Sequence, residues 1–511
     1  MPATDPLRAT TKSHSAQEDE RDQRYFHALA ARDSRFDGVF FTGVTTTGIY
    51  CRPVCPAKTP RASSCHFFST AAAAEAAGFR PCLRCRPELA PYAIQQNLAH
   101  AVWQKIADGA LNEGNLETLA AQVGLSSRQL RRVVLQEFGV TPVTLAQTQR
   151  LLFAKRLLQE TSLSMTDIAY ASGFGSVRRF NALFADAYQL TPGSLRRISA
   201  QTSDSIQLRL AYRPPFAWDA LISYLAGRAM PGLEAILHDK GQASYVRSVT
   251  LDGRQGWIKI SHLPERQQLA LHIAPELTPV LMPLMARVRQ QFDLEANPAV
   301  IQSILQASAM LNPQIQRTPG LRVPGAFDGF ELAIRAVLGQ QVSVAGATTV
   351  SGRLVQRFGE AFQTPFANVT HHFPTPAVIA ALPLDQLAGI GVPGARAATL
   401  QHLARFTLEG GLQRHPGASV EEAVAQLKTV KGIGEWTAQY IAMRALRYPN
   451  AFPAGDLGLQ KAAAQLSTPT MTRLTEKQLL TEAQAWAPWR SYAAVLLWQS
   501  LSVHSSVAHL P

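Results

Sequence analysis

The stretch LKTVKGIGEWTAQYIAMRAL (Leu427–Leu446), followed by FPAGDLGLQK (Phe452–Lys461), decides how the C-terminal half is read. Gly432-Ile433-Gly434 separates two helical segments and forms a hairpin. The backbone N–H groups of such a turn can hold a phosphate without any side chain. A lone Gly-x-Gly is a weak signal. Here it stands with Val430 before it, Thr437-Ala438 after it and an acid downstream. Trp436 and Tyr440, four residues apart, fall on one helix face.

Around that stretch the chain runs to 511 residues, too many for one core, and the length suggests three or four domains. A hydrophobic fraction of 46% is ample for packed cores. No run approaches the ~20 apolar residues of a membrane span. The N-terminus has no apolar signal region, so residues 1–20 read as a short disordered tail and the chain as cytoplasmic. Thiols stay reduced there, which makes disulfides the poorer account of paired cysteines. Net charge is +13 and pI about 9.7. A basic balance suits either scattered surface lysines or a nucleic-acid partner, since neutralised phosphates dominate such affinity.

Composition divides the chain into segments. Residues 21–92 hold all five cysteines and a dense set of arginines. Residues 95–198 are helical in pattern and arginine-rich. A polar connector, SAQTSDS (Ser199–Ser205), leads to residues 206–285, where alternating runs such as IQLRLAY (Ile206–Tyr212) and LALHIAP (Leu269–Pro275) mix with helical stretches. Residues 286–502 read as helices joined by Gly/Pro turns. The expected fold class is multidomain, mainly α with smaller α+β parts.

Residues 206–500 resemble the helix-hairpin-helix DNA glycosylases. PGLRVPGAFDGFELAIRAVLGQQVSVAGA (Pro319–Ala347) and PWRSYAAVLLW (Pro488–Trp498) point within them to 3-methyladenine DNA glycosylase II. The resemblance implies an α+β N-terminal domain, an all-α hairpin domain and no cofactor for the glycosylase. It implies a catalytic aspartate 20 residues after the tryptophan that follows the hairpin, which is Asp456. Asp385 and Asp328 are alternatives, but neither follows the hairpin. Bifunctional relatives carry a lysine two residues after the second hairpin glycine; Trp436 stands there, implying base release without strand cleavage. One carboxylate suffices in principle. It can stabilise oxocarbenium character, and a base alkylated at N3 or N7 is cationic and already a good leaving group.

Trp436, Tyr440, Trp498 and Tyr224 match the family's base pocket, although Trp498, in an apolar run, is equally a core candidate. Gly432 and Gly434 match its phosphate-binding hairpin. Two departures stand out. Gln341 occupies the place of the leucine wedge that fills the gap left by the flipped base in the best-known member. Leu457 and Gly458 replace a larger pair after the aspartate, which widens the expected pocket.

In the N-terminal segment, GIYCRPVC (Gly48–Cys55) and FRPCLRCRP (Phe79–Pro87) carry two short-spaced cysteine pairs. Cys51, Cys55, Cys82 and Cys85 suit one tetrahedral Cys₄ zinc, which closes a small fold that lacks core. Cys65, in SSCHFF, is the fifth and reads as buried, with competition as a zinc ligand the alternative. Arg52, Lys58, Arg61, Arg80, Arg84 and Arg86 either balance a site charge near about −2 or hold DNA phosphates against it. A zinc-bound thiolate remains a nucleophile at neutral pH.

TTTGIYCRPVCPAKTP (Thr45–Pro60) with AGFRPCLRCRPE (Ala77–Glu88) resembles the zinc domain of Ada-type adaptive-response proteins. The resemblance implies irreversible methyl transfer from DNA methylphosphotriesters to Cys51, with Cys55, Cys82 and Cys85 as co-ligands. Thiolate becomes thioether, one negative charge is lost, and repulsion from DNA falls. No cysteine follows Cys85, which excludes a second, O6-alkylguanine acceptor.

LETLAAQVGLSSRQLRRVVLQEFGVTP (Leu116–Pro142) and MTDIAYASGFGSVRRFNALFADAYQLTP (Met165–Pro192) repeat one design. Gly124 and Gly173 permit a tight turn, and Ser126 and Ser176 can cap a following helix. That is helix-turn-helix geometry, whose second helix can enter a major groove. Arg128, Arg131, Arg132, Arg178 and Arg179 lie at the starts of those helices. The pair resembles the AraC-type DNA-binding domain, which implies promoter DNA and RNA polymerase as partners beside damaged duplex DNA. Two other readings stay open: a glycosylase whose N-terminal half only supplies DNA affinity, and a regulator with an inactive glycosylase domain.

Overall fold

The computed structural model describes residues 16–90, 98–112, 114–196, 205–239, 241–413, 418–467 and 471–507. The chain divides into two compact units, Met1–Ala90 and Pro91–Pro511.

In the first unit a helix, Ala16–Ala30, begins inside the stretch expected to be tail; residues 1–15 lie outside the described residues. Four short strands follow: β1 (Phe41–Val44), β2 (Ile49–Cys51), β3 (Cys65–Phe68) and β4 (Arg80–Pro81), in the order β3-β1-β2-β4. β2 runs antiparallel to β1, pairing Cys51 with Thr42, and parallel to β4, pairing Tyr50 with Pro81. Neighbouring strands therefore deliver Cys51 and Cys82 to the same end of the sheet. Tyr25 stacks on Phe40 at 4.2 Å and Phe67 meets Phe40 edge-on at 5.5 Å. This core is small, the situation in which a structural metal contributes folding energy.

The second unit starts with the helix-turn-helix pair. Leu116–Gln122 leads through Gly124 (φ +69°) to Ser127–Phe138, and Met165–Ala171 leads through Gly173 (φ +79°) to Val177–Tyr188. Ser126 and Ser176 cap the second helix of each copy, Ser126 in a reciprocal capping box with Gln129. The Pro142–Glu160 helix links the copies and is buried on nearly every side, Lys155 and Arg156 included.

Its burial has a cause beyond the repeat. Five antiparallel strands, β5 (Ile206–Ala211), β6 (Glu234–Asp239), β7 (Gln242–Leu251), β8 (Arg254–Leu263) and β9 (Gln268–Ile273), form a sheet in the order β5-β9-β8-β7-β6. The two alternating runs seen in the sequence are β5 and β9, paired through Leu208 and Leu271. Leu157, Ile168, Phe180 and Phe184 share one hydrophobic cluster with Leu208, Leu271 and Leu284. The Glu160 carboxylate accepts from Arg209 N at 3.1 Å, and Arg156 donates to the Arg209 carbonyl. Packing thus continues where the polar connector suggests a break between domains; residues 197–204 of that connector lie outside the described residues.

The remaining helices enclose a separate apolar core that includes Leu332, Leu400, Ile441 and Leu496. Within it, Val420–Lys428 and Glu435–Arg444 flank the glycine hairpin. No helix among the described residues is long and apolar enough to cross a membrane.

Candidate functional site

Asp456 sits at the mouth of the Leu457–Ser467 helix, where its Oδ1 accepts from Leu459 N at 2.9 Å. Two indoles complete the arrangement. Trp436 Nε1 donates to Oδ2 at 2.9 Å and Trp498 Nε1 to Oδ1 at 3.0 Å. The carboxylate is fixed by three neutral N–H donors, one from the backbone and one from each of two helices. Trp436 stacks on Tyr440 (5.4 Å, 13°), Trp498 meets Tyr440 at a steep angle (6.1 Å, 62°), and the Tyr224 hydroxyl lies 3.5 Å from that of Tyr440. The five residues picked from the sequence for the base site are therefore joined in one cluster: both indoles bond the Asp456 carboxylate, Tyr440 packs against both indoles, and Tyr224 reaches Tyr440.

The alternatives lie elsewhere. Asp328 caps the Gly329–Leu338 helix and pairs with Arg287 at 2.7 Å. Asp385 is exposed in the first turn of a five-residue helix. A Cβ at Gly458 would stand 2.9 Å from Asp456 Oδ1, so glycine keeps that side of the carboxylate open. Leu457 is 65% exposed.

The hairpin glycines differ in their roles. Gly432 has φ +97°, and a Cβ there would meet Thr399 Oγ1 at 1.9 Å, so both conformation and space demand glycine. Gly434 is the exposed N-cap of the Glu435–Arg444 helix, with ordinary extended dihedrals. Gln341 is exposed and also takes a positive φ, +56°. Sequence reasoning missed what holds it in place. Gln340 Nε2 donates to the Gly432 carbonyl and to Thr437 Oγ1, both at 3.0 Å, and Arg396 donates to the Gln340 carbonyl at 2.7 Å. The Gln341 loop and the hairpin are thus joined. Arg444 was missed as well: buried one turn beyond Tyr440, it donates to the Tyr440 hydroxyl at 2.6 Å. Neither arginine carries a spacing signal that marks it.

In the first unit the Sγ atoms of Cys51, Cys55, Cys82 and Cys85 all lie within 4.8 Å of one another. The donor set fits zinc: four thiols, with backbone N–H groups of Arg52 and Arg84 reaching Cys85 and Cys82 at 3.3 and 3.4 Å. Cys55, Cys82 and Cys85 are buried, whereas Cys51 is partly exposed. Arg52 is turned inward, donating to Asp37 at 2.8 Å and to the Cys85 carbonyl at 3.0 Å, so it serves the fold. Lys58, Arg61, Arg80 and Arg84 are exposed. Cys65 lies outside the cluster and is only half-buried, not buried as expected.

Arg128, Arg131, Arg132, Arg178 and Arg179 are all exposed on the second helix of their copies. Leu130, Val134 and Phe138, and Phe180, Phe184 and Tyr188, are the buried residues of those helices.

Over 490 residues the chain is 37% identical to the "Probable bifunctional transcriptional activator/DNA repair enzyme AlkA" of Mycobacterium tuberculosis (strain CDC 1551 / Oshkosh), covering 94% of this chain and 96% of that one. The chain belongs to that family. Four family descriptions match in chain order: the metal binding domain of Ada over residues 24–88, a helix-turn-helix domain over 119–198, the AlkA N-terminal domain over 207–328, and the HhH-GPD superfamily of base excision DNA repair proteins over 334–490. The DNA-3-methyladenine glycosylase 2 of Escherichia coli (strain K12) is 32% identical over 289 residues, 57% of this chain and 95% of that protein. The bifunctional transcriptional activator/DNA repair enzyme Ada of the same organism is 38% identical over 159 residues, 30% of this chain and 42% of that protein. The family thus joins in one chain the parts of two separate Escherichia coli proteins.

Proposed function

We propose that the chain senses and repairs alkylated DNA through two separate chemistries. Four modules, at 21–92, 95–198, 206–285 and 286–502, divide the work. The glycosylase hydrolyses the N-glycosidic bond of alkylated bases, and the observation that carries this reading is the doubly indole-bonded Asp456.

The target base leaves the stack at a cost of a few kcal/mol. Trp436, Tyr440, Trp498 and Tyr224 receive it; stacking returns roughly 1–3 kcal/mol per base, and a cationic base adds roughly 0.5–2 kcal/mol of cation–π attraction. As the base departs with its bonding electrons, positive charge develops on the sugar, and the fixed carboxylate stabilises it without reorganising. Water then adds to the sugar, leaving an abasic site. Gly432 and Gly434 present backbone N–H groups to a phosphate, while Gln341, on its braced loop, enters the space the base has left. No lysine stands at the Trp436 position, which supports a monofunctional enzyme that releases the base without cleaving the strand.

Cys51 is the methyl acceptor, with Cys55, Cys82 and Cys85 completing the zinc set. Bound zinc keeps the thiols deprotonated at neutral pH. The Cys51 sulfur attacks the methyl carbon, the C–S bond forms as the C–O bond breaks, and a phosphodiester anion leaves. Partial exposure of Cys51, with backbone donors on Cys82 and Cys85, supports that choice. The helix-turn-helix arginines then hold promoter DNA, with RNA polymerase as partner, in the cytoplasm. Base release and methyl uptake by the zinc-loaded protein test the reading: Asp456→Asn should slow the first on the order of 10²–10³-fold and spare the second. Unchanged release by that variant would point instead to a regulator with an inactive glycosylase fold.

A further inference from the structure

The inner wall of the base pocket carries charge that the glycosylase chemistry leaves unexplained. Arg444 is buried, with Nε donating to the Pro324 carbonyl at 2.7 Å, Nη2 to the Gly325 carbonyl at 3.3 Å and Nη1 to the Tyr440 hydroxyl at 2.6 Å. The Arg228 guanidinium lies 3.8 Å over the Tyr224 ring. Arg335, from the Gly329–Leu338 helix, is buried within electrostatic reach of Tyr440 and Arg444. The carboxylate facing this group is Glu234 on β6, which already accepts from the Tyr245 hydroxyl and from Met230 N. Arg228, Arg335 and Arg444 line one cavity with Arg247, Glu234, Asp328 and Glu331, so positive charge is in excess behind a pocket read as receiving a cationic base.

Tyr440 offers the way out. Its ring is stacked with Trp436, and its oxygen accepts from Arg444 Nη1 at 2.6 Å and lies 3.5 Å from the Tyr224 hydroxyl. We propose that Arg444 is a specificity-determining positioning residue: its guanidinium, held against the Tyr440 oxygen, favours the ionised phenol, so that above neutral pH the ring beside the flipped base takes up negative charge and the pocket comes to select cationic bases over neutral ones. The inference rests on the glycosylase reading. The proton that Tyr440 loses passes to solvent, and Asp456 remains the group at the sugar.

The electrostatics agree with the geometry. Burial acts to raise Tyr440, but the charges of Arg444 and Arg228 and the hydrogen bonds from Tyr224 and Arg444 outweigh it and bring the phenol down to about 8. Burial pushes Tyr224 up to about 12 against the pull of Arg444, so Tyr224 keeps its proton and donates. The groups facing Tyr440 are Arg444 on its own helix, Tyr224 and Arg228 from the Trp218–Ala226 helix and the turn after it, Arg335, Glu234, and Asp456 behind the two indoles.

The test uses the full-length, zinc-loaded protein and single-turnover base release from duplexes carrying 3-methyladenine, a cationic base, or hypoxanthine, a neutral one. The ratio of the two rates should rise about tenfold as pH passes through 8, the size of one good cation–π contact. Arg444→Met should flatten that rise, Arg444→Lys should restore part of it, and Tyr440→Phe, which keeps the ring, should abolish it. The near-ultraviolet tyrosinate titration of the wild type minus that of Tyr440→Phe should show a group near 8 that Arg444→Met moves upward. An unchanged ratio in both Arg444→Met and Tyr440→Phe, equal losses for both bases, or no such group in the difference titration overturns the proposal. Failure of the wild type to release either base would instead count against the glycosylase reading, because the titration reports on Tyr440 without any activity.

Discussion

Cys51 and Asp456 are both proposed as anionic reacting groups, yet their surroundings are built in opposite ways. The Cys51 sulfur is the more exposed of a cluster in which backbone N–H groups reach Cys82 and Cys85. Asp456 is pinned by two indoles and a backbone amide. A nucleophile that is consumed once needs its lone pair free and open to the incoming methyl. A carboxylate that must meet a developing charge at every turnover gains from being held in place, because no reorganisation is then required at the moment of reaction. On the proposed reading the cysteine cluster is a stoichiometric device and the indole-bonded aspartate a catalytic one.

That contrast can be broken at either end. The largest expected effect is at Cys51: Cys51→Ser should eliminate methyl uptake, read by peptide mass, and leave base release in place. Asp456→Asn should slow base release on the order of 10²–10³-fold, the cost of removing one pre-placed electrostatic partner, with methyl uptake unaffected. Trp498→Phe keeps an aromatic wall and removes one hydrogen bond to the carboxylate, which is worth about 1.5–3 kcal/mol. Single-turnover release should fall roughly 10–100-fold. Gly432→Ala must relieve the 1.9 Å approach to Thr399 and strain a φ of +97°. It should weaken binding of an abasic-site duplex by about tenfold while sparing methyl uptake. The smallest change is expected for Gln340→Ala, which unties the Gln341 loop from the hairpin at the loss of two neutral hydrogen bonds of about 1 kcal/mol each. It should slow base flipping more than it weakens binding.

The two regions also differ in how far the sequence alone reveals them. The cysteine pairs and the tight glycine turns speak through short spacings, and a four-thiol cluster or a capped helix follows from them directly. The base pocket joins Tyr440, Asp456 and Trp498 to Tyr224, which lies 216 residues before Tyr440, and only resemblance linked them. Arg444 and Arg396 gave no signal, because an arginine on a helix surface and one buried against carbonyl groups look alike in sequence. The core shared by Phe180, Phe184 and Leu208 was hidden by the polar Ser199–Ser205 connector, since a break in composition need not be a break in packing. Arg52 allowed two readings in the sequence, balancing the thiolates or holding a phosphate, and only its contacts with Asp37 and the Cys85 carbonyl show that it is turned inside.

The central claim is that one chain carries two independent alkyl-repair chemistries, at Cys51 and at Asp456. It is tested most directly by giving zinc-loaded wild type and Asp456→Asn a duplex that bears both a methylphosphotriester and 3-methyladenine, then measuring released base and peptide mass in the same tube. One methyl group on Cys51 is expected in both proteins, with base release by Asp456→Asn slower than wild type on the order of 10²–10³-fold. Base release by Asp456→Asn at the wild-type rate, or a methyl group found on any residue other than Cys51, would contradict it.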